Sequence, residues 1–160
     1  MSEKQRRDER FVQALTAHRE QMYRVALTML RSPQEAEDAV SQATLKAYAG
    51  IGRLRSWDSV RPWLMRITVN AALQTLRRRK RESVYPLDTL PEPPAPPQED
   101  PLWMYLDTLP QHMRVILTLR YGENLPINEI AHMLRIPRGT VSARLTRAKR
   151  KLAEQLGKEP

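Results

Sequence analysis

The chain is predicted to be all-α, with two small helical domains joined by a proline-rich acidic linker. Three observations carry that prediction. Apolar residues recur at alternating three- and four-residue steps, and no segment sustains period-two alternation. From Ser83 to Pro101 inclusive there are seven prolines and no glycine, a composition that favours stiff, extended backbone. Charge is also divided into blocks. Residues 53–81 carry nine basic groups against the single acid Asp58, and residues 135–151 carry seven and no acid. Residues 82–108 carry six acids and no base. The 160 residues divide into units of 1–82 and 101–160 around a linker of 83–100, each half near the lower limit for a self-sufficient core.

Each helix has its own justification. The first, about 6–30, places Phe11, Leu15, Met22, Val25 and Met29 on one face. Ser32 is an N-cap candidate and Pro33 suits the first turn of the second helix, about 33–49. That helix turns Ala36, Ala39, Val40, Ala43 and Ala47 inward, and Glu35, Glu37 and Asp38 sit where the helix dipole favours negative charge. Gly50 and Gly52 end it. After a loop of about 50–58, the third helix covers 59–81, with Trp63, Leu64, Ile67, Ala71 and Leu73 apolar, and finishes in Arg77–Arg81. Pro62 is tolerated because it falls in the first turn. Helices at about 101–108 and 111–121 follow, with Gly122 as the stop.

The segment from Leu125 to Leu152 has the plan of a helix-turn-helix: a short apolar helix, a tight turn, then a helix with one apolar stripe and a basic surface. Val141, Leu145, Ala148 and Leu152 face inward. Arg144, Arg147, Arg150 and Lys151 lie on outer faces, and Arg138, Thr140, Ser142 and Ala143 surround the helix start. In such units the start of the second helix meets base edges and the flanking cations meet phosphates. Ala131 is small, as the tight helix crossing requires. Arg135 stands in the turn, where glycine often relieves a positive backbone angle.

The N-terminal half offers a basic helix with aromatics near its start, Trp57 in the loop and Trp63 on the helix, a combination suited to single-stranded nucleic acid. Trp63 at helical spacing with Ile67 more often marks a core position, and Arg77–Arg81 equally suits a solvated helix end or a localisation-like basic patch. Net charge is +9 and the isoelectric point about 10.3, which favours polyanionic partners by counterion release. Without cysteine, disulfides and thiolate metal sites are excluded. His18, His112 and His132 show no ligand spacing, and no nucleophile–base pair or phosphate-cradling glycine loop occurs. An enzyme, a cofactor and a metal are therefore not expected. Neither a signal peptide nor a long apolar run is read, so no membrane insertion and a cytoplasmic setting are expected.

Three stretches together are more specific than any one: Glu35-Ala-Glu-Asp-Ala-Val40 with Leu45-Lys-Ala-Tyr48; Trp63-Leu-Met-Arg-Ile-Thr-Val-Asn70 running into Leu76-Arg-Arg-Arg-Lys80; and Leu109-Pro with Arg114, Leu119-Arg-Tyr121, Glu129-Ile-Ala131 and Ile136-Pro-Arg-Gly-Thr-Val141. In this order they resemble the bacterial extracytoplasmic-function (group IV) sigma factors of the sigma-70 superfamily, over about 8–82 and 101–156. The resemblance implies a promoter-specificity subunit with core RNA polymerase and promoter DNA as partners and, commonly, an anti-sigma factor.

It also implies roles for particular residues. Glu37, Asp38, Ser41, Gln42 and Leu45 would meet the polymerase clamp. Gly50, Leu54, Ile67 and Asn70 would form a pocket for a flipped minus-ten base, with Arg77 and Arg78 beside it. Asn70 could instead only cap or solvate its helix. Arg138, Thr140, Ser142, Ala143, Arg144, Arg147 and Lys151 would read the minus-thirty-five element. The acidic linker would enter the polymerase's nucleic-acid channel as a stand-in for phosphate. Two departures stand out. Ser41-Gln-Ala-Thr44 lacks the family's usual aromatic and acid, and Ser142-Ala143 stands where Lys/Arg-Ser is common. Two other classes remain open: a helix-turn-helix repressor or activator acting without core polymerase, and an RNA-binding or anti-termination adaptor. The basic third helix argues against burying it in a dimerisation domain.

Overall fold

The computed structural model describes residues 1–82, 92, 94, 101–122 and 124–157. The linker prediction of 83–100 therefore lies outside the described residues, apart from Glu92 and Pro94. Among the described residues every regular element is helical: α1 (Glu3–Leu30), α2 (Pro33–Ala49), α3 (Val60–Arg81), α4 (Pro101–Asp107), α5 (Gln111–Leu117), α6 (Ile127–Leu134) and α7 (Arg138–Gly157).

Local chemistry sets the boundaries. α1 begins three residues earlier than its apolar pattern indicates, because Ser2 and Gln5 form a reciprocal capping box: the Gln5 amide donates to Ser2 Oγ at 3.2 Å and the Ser2 amide to Gln5 Oε1 at 2.9 Å. α1 stops at Arg31, whose backbone turns left-handed (φ 57°). Ser32 then caps α2 by accepting from the Glu35 amide at 3.2 Å, with Pro33 in the first turn as expected. The expected loop of 50–58 contains two single 3-10 turns, Ile51–Arg53 and Trp57–Ser59. α5 widens at its end into a π-turn over Thr118–Gly122, a distortion that apolar spacing does not announce.

α1, α2 and α3 form the N-terminal bundle. The alanines Ala36, Ala39, Ala43 and Ala47 are all buried, so α2 can approach its neighbours closely. Leu64, Val69, Met22 and Leu30 fill the centre. Threonines inside the core satisfy their hydroxyls on their own helices: Thr28 on Arg24 O, Thr68 on Leu64 O and Thr118 on Arg114 O, at 2.8–2.9 Å. The C-terminal unit packs α5, α6 and α7 around Ile116, Leu119, Ile130 and Val141.

The two units do not stand apart. α4 and α5 lie against α1, and Arg24 of α1 stacks on the Trp103 ring of α4 at 5.2 Å. The Arg114 side chain, fully buried on α5, donates from Nε to the Thr28 carbonyl of α1 at 2.6 Å. The buried core is continuous from one half to the other.

Replacing Leu64, which has no exposed surface, with alanine is expected to lower unfolding free energy in urea by about 2–5 kcal/mol. The same change at Val12, 59% exposed, should stay within about 0.5 kcal/mol.

Candidate nucleic-acid interface

The helix-turn-helix forms as its sequence indicates. Ala131 is buried at the crossing of α6 and α7. The turn is made by Arg135 in the left-handed region (φ 59°, ψ 44°), and the Ile136 amide donates back to the Ala131 carbonyl at 3.1 Å. The Pro137 carbonyl then accepts from the Thr140 and Val141 amides, at 3.0 and 3.2 Å, and starts α7. Val141, Leu145 and Ala148 are buried, Leu152 partly so.

The reading residues divide. Arg138, Ser142, Ala143 and Arg147 are exposed around the start and outer side of α7, and Thr140 is half-buried there. Arg144 is half-buried and turns inward, lining a cavity of about 340 Å³ with Leu73, Leu76 and Lys80 of α3. Lys151 is half-buried one turn before Glu154, its ion-pair partner at 3.9 Å. Of the four cations expected on outer faces, Arg147 and Arg150 are exposed, whereas Arg144 and Lys151 are half-buried.

Gly50, just past α2, and Ile67 and Asn70 of α3 do come together. With Trp63, Gln74 and Arg77 they line a cleft of about 600 Å³. A Cβ added at Gly50 would come within 3.7 Å of the Trp63 ring, so any larger side chain would grow toward this space. Leu54 is half-buried against the core and is not part of the lining, and Arg78 donates to Thr75 Oγ1 on its own helix at 3.4 Å. Of the other lining residues, Trp63 and Lys46 lie within the motifs quoted above, whereas Gln74 lies in none and emerges only from the packing. Trp57 is accounted for differently: the Arg10 guanidinium sits 4.9 Å over its ring, a cation–π contact that occupies the face a base would need.

The far side of this cleft belongs to the other domain. Arg135 lines it, and an adjoining cleft of about 860 Å³ runs from Arg66, Asn70 and Arg77 to Glu129, Pro137 and Arg138. Arg66 pairs with Glu129, and Arg77 donates to the Met133 carbonyl at 2.8 Å. Burial, and then the positive charges of Arg135 and Arg81, push the Arg77 guanidinium below its usual range.

Along α2, Glu37, Asp38, Ser41 and Leu45 are exposed, with Gln42 half-buried beside them. Leu45 is 73% exposed, an apolar side chain of the kind that marks a contact surface when grouped, here with Tyr48 at 42%. Among the described residues no group of three or more histidines or acids could hold a metal, and no helix is long and apolar enough to cross a membrane.

A duplex-reading helix pair in one half and a basic helix with a small pocket in the other define a bipartite, all-helical DNA-binding protein. Comparison with known proteins narrows this class. The sigma-70 region 2 family matches residues 14–82 and sigma-70 region 4 matches 105–154. The extracytoplasmic-function RNA polymerase sigma factor SigM of Mycobacterium tuberculosis is 34% identical over 151 residues, covering 92% of this chain and 77% of its own. RNA polymerase sigma factor SigV of Bacillus subtilis is 30% identical over 164 residues, covering 99% and 98%. The fold is that of the sigma factor RpoE of Bartonella quintana, solved with the anti-sigma factor NepR: TM-score 0.68, 23% identity, 94% of this chain and 98% of that one. The chain belongs to the extracytoplasmic-function sigma factors of the sigma-70 superfamily, and a polymerase-independent repressor or activator is not favoured.

Glycine reaches the left-handed turn at little cost, whereas a residue with a Cβ is strained there by about 1–2 kcal/mol. Arg135→Gly is therefore expected to raise unfolding free energy by about 0.5–1 kcal/mol, read as a higher urea midpoint at unchanged slope.

Proposed function

We propose that this sigma factor directs core RNA polymerase to promoters through three separate surfaces. Residues 1–82 would bind core enzyme and open the minus-ten element, 83–100 would form the linker, and 101–160 would read the minus-thirty-five duplex. The observation that carries the reading is a pairing on one chain. An exposed α7 start (Arg138, Ser142, Ala143, Arg147) stands with a pocket formed by Gly50 at the end of α2 and Ile67 and Asn70 of the basic α3.

Each chemistry follows from its surface. The α7 start offers a short hydroxyl and a methyl to base edges, with Arg138, Thr140, Arg144, Arg147 and Lys151 for phosphates. The pocket offers the Ile67 wall and the Asn70 amide, which can both donate and accept, to a base taken out of the stack. Leu54 would support this wall from behind, and Arg77 and Arg78 would neutralise the strand. The α2 stripe of Glu37, Asp38, Ser41, Gln42 and Leu45 combines acids with an exposed apolar side chain, suited to a basic, partly apolar groove on the core enzyme. Work in the cytoplasm, no catalysis by the chain itself, and control by an anti-sigma partner covering the α2 and DNA faces complete the proposal. The relative from Bartonella quintana supports the last point, since it was solved with such a partner.

The deciding experiment mixes the chain with core polymerase and a promoter library. Promoter-dependent runoff transcripts are expected; their absence, together with tight palindromic duplex binding by the chain alone, would return the reading to a repressor. Arg147→Ala should weaken minus-thirty-five binding and flatten its log–log salt slope by about 0.9; an unchanged slope would place this side chain away from phosphate. Asn70→Ala should reduce permanganate reactivity of the open minus-ten element more than it reduces initial duplex docking.

A further inference from the structure

The promoter reading takes up the two clefts around Asn70. A third cavity, of about 340 Å³, has no part in it and lies where α3 meets α5, α6 and α7. Its floor is aliphatic: Leu73 and Leu76 from α3, Val115 from α5, Leu134 from α6 and Ile136 from the turn that follows. Its rim is cationic, with Arg77 and Lys80 of α3 and Arg144 of α7, and Gln111 and His112 of α5 stand beside them. Among the described residues no carboxylate lines this space.

The rim cations keep donors for a guest. Arg77 gives one of its five N–H donors to Met133 O, and burial, with Arg135 and Arg81, already disfavours its charge. Arg144 is half-buried and Lys80 exposed, and among the described residues neither pairs with an acid. Elsewhere this chain answers its shielded guanidiniums with carboxylates, Arg114 with Glu92 and Arg79 with Glu35. A half-buried guanidinium beside apolar side chains is costly without such a partner, and a bound anion offsets that cost.

Size and surface restrict the guest. A duplex cannot enter a space walled by four helices, and 340 Å³ falls within the range of small-molecule sites, about 300–1,000 Å³. Nucleobases bind by stacking on aromatic faces, and this floor offers none. Branched aliphatic side chains suit an alkyl body instead. Guanidinium forks match carboxylate and phosphate oxygens alike.

We propose that this cavity binds a small aliphatic anion, its alkyl chain against Leu73, Leu76 and Val115 and its carboxylate or phosphate head on Arg144, Lys80 and Arg77. Such a guest shares two cations with the promoter, since Arg77 is assigned above to the minus-ten strand and Arg144 to minus-thirty-five phosphate. Occupancy therefore competes with DNA, and the chain senses an amphiphilic metabolite directly. The competition rests on that promoter reading, whereas the site does not.

Titration calorimetry of the full chain with octanoate and with octyl phosphate tests the site and separates the two head groups. One or both should bind saturably, one molecule per chain, and raise Tm. Acetate, inorganic phosphate and octanamide each lack half of the required chemistry and should bind about tenfold or more weakly. Adenosine monophosphate, with a phosphate but no alkyl body, should be equally poor. Lys80→Gln and Arg144→Gln should each weaken binding about fivefold, whereas Arg150→Gln, an exposed cation outside the cavity, should not. Gln111→Trp, from a half-buried rim position, should block the site; should it unfold, the exposed Lys80→Gln still decides. No saturable binding of either alkyl anion would overturn the site, and so would unchanged affinity in both Lys80→Gln and Arg144→Gln. Equal weakening by Arg150→Gln would reduce it to general attraction by a basic surface and overturn it too. Saturating alkyl anion should weaken binding of the minus-thirty-five duplex of a promoter that supports runoff; unchanged duplex affinity with the site filled would overturn the competition. Failure of wild-type chain to support runoff would sink the promoter reading and leave the calorimetry standing.

Discussion

The C-terminal end of α1 is the point on which both halves depend. A helix ends with four carbonyls unpaired and with the negative pole of its dipole exposed, so it calls for cations. α1 has no basic residue in its own last turn. The cations come from elsewhere: Arg114 of α5 donates to Thr28 O at 2.6 Å, and Arg79 of α3 donates to Leu30 O at 2.8 Å while also pairing with Glu35. Removing a guanidinium from water costs several kcal/mol unless its donors are met. Arg114 meets that condition with Thr28 O, Leu109 O at 3.0 Å and the Glu92 carboxylate. Burial lowers its proton affinity and Glu92 raises it again. Arg31, just past the helix, donates to Asp107 O at the end of α4. One helix terminus thereby organises α3, α4 and α5.

That hub explains why the α7 surface and the Asn70 cleft differ in availability. It fixes α5 on α1, and α5 carries the helix-turn-helix with it, so α6 is delivered onto α3. The face of α7 remote from α3 remains open to water, and the Asn70 cleft acquires Arg135 as its second wall. The positive charge there is higher than either half presents alone. Both surfaces are cationic, and their approach is eased because Glu129 sits between them in the first turn of α6, where the helix dipole already favours it.

Much of this was legible beforehand. The helix order, Ser32-Pro33 as a cap, the small Ala131 and the backbone demand at Arg135 follow from local rules, and the structure bears them out. Gly50, Ile67 and Asn70 converge as the family wording implies, while Leu54 does not line the same space. The rest was illegible for physical reasons. Arg114 carries a family motif but nothing local says that a guanidinium will be fully buried, because the compensating acceptors come from α1 and from Glu92, far away in sequence. Glu92 is one acid among six in its block. Arg144 reads as an outer cation from α7 periodicity alone, and becomes half-buried only because α3 is its neighbour. Packing between the halves is a long-range property that helical spacing does not encode.

The relative strengths of the contacts between the halves decide how the molecule responds to its surroundings. A half-exposed pair such as Arg66–Glu129 contributes about 0–1 kcal/mol and is weakened by salt. Alone it would leave the packed halves scarcely favoured, and it would fade under the ionic conditions that also weaken DNA binding. The pairing of Glu92 with Arg114 and Arg31 is better shielded, since Arg114 is wholly buried and Arg31 is 12% exposed at the side chain. Buried pairs are screened much less. Raising salt should therefore erode the Glu129 contact before it erodes those of Glu92. A polyanion competing for α3 can displace Glu129, which is exposed to it, but has no access to Arg114.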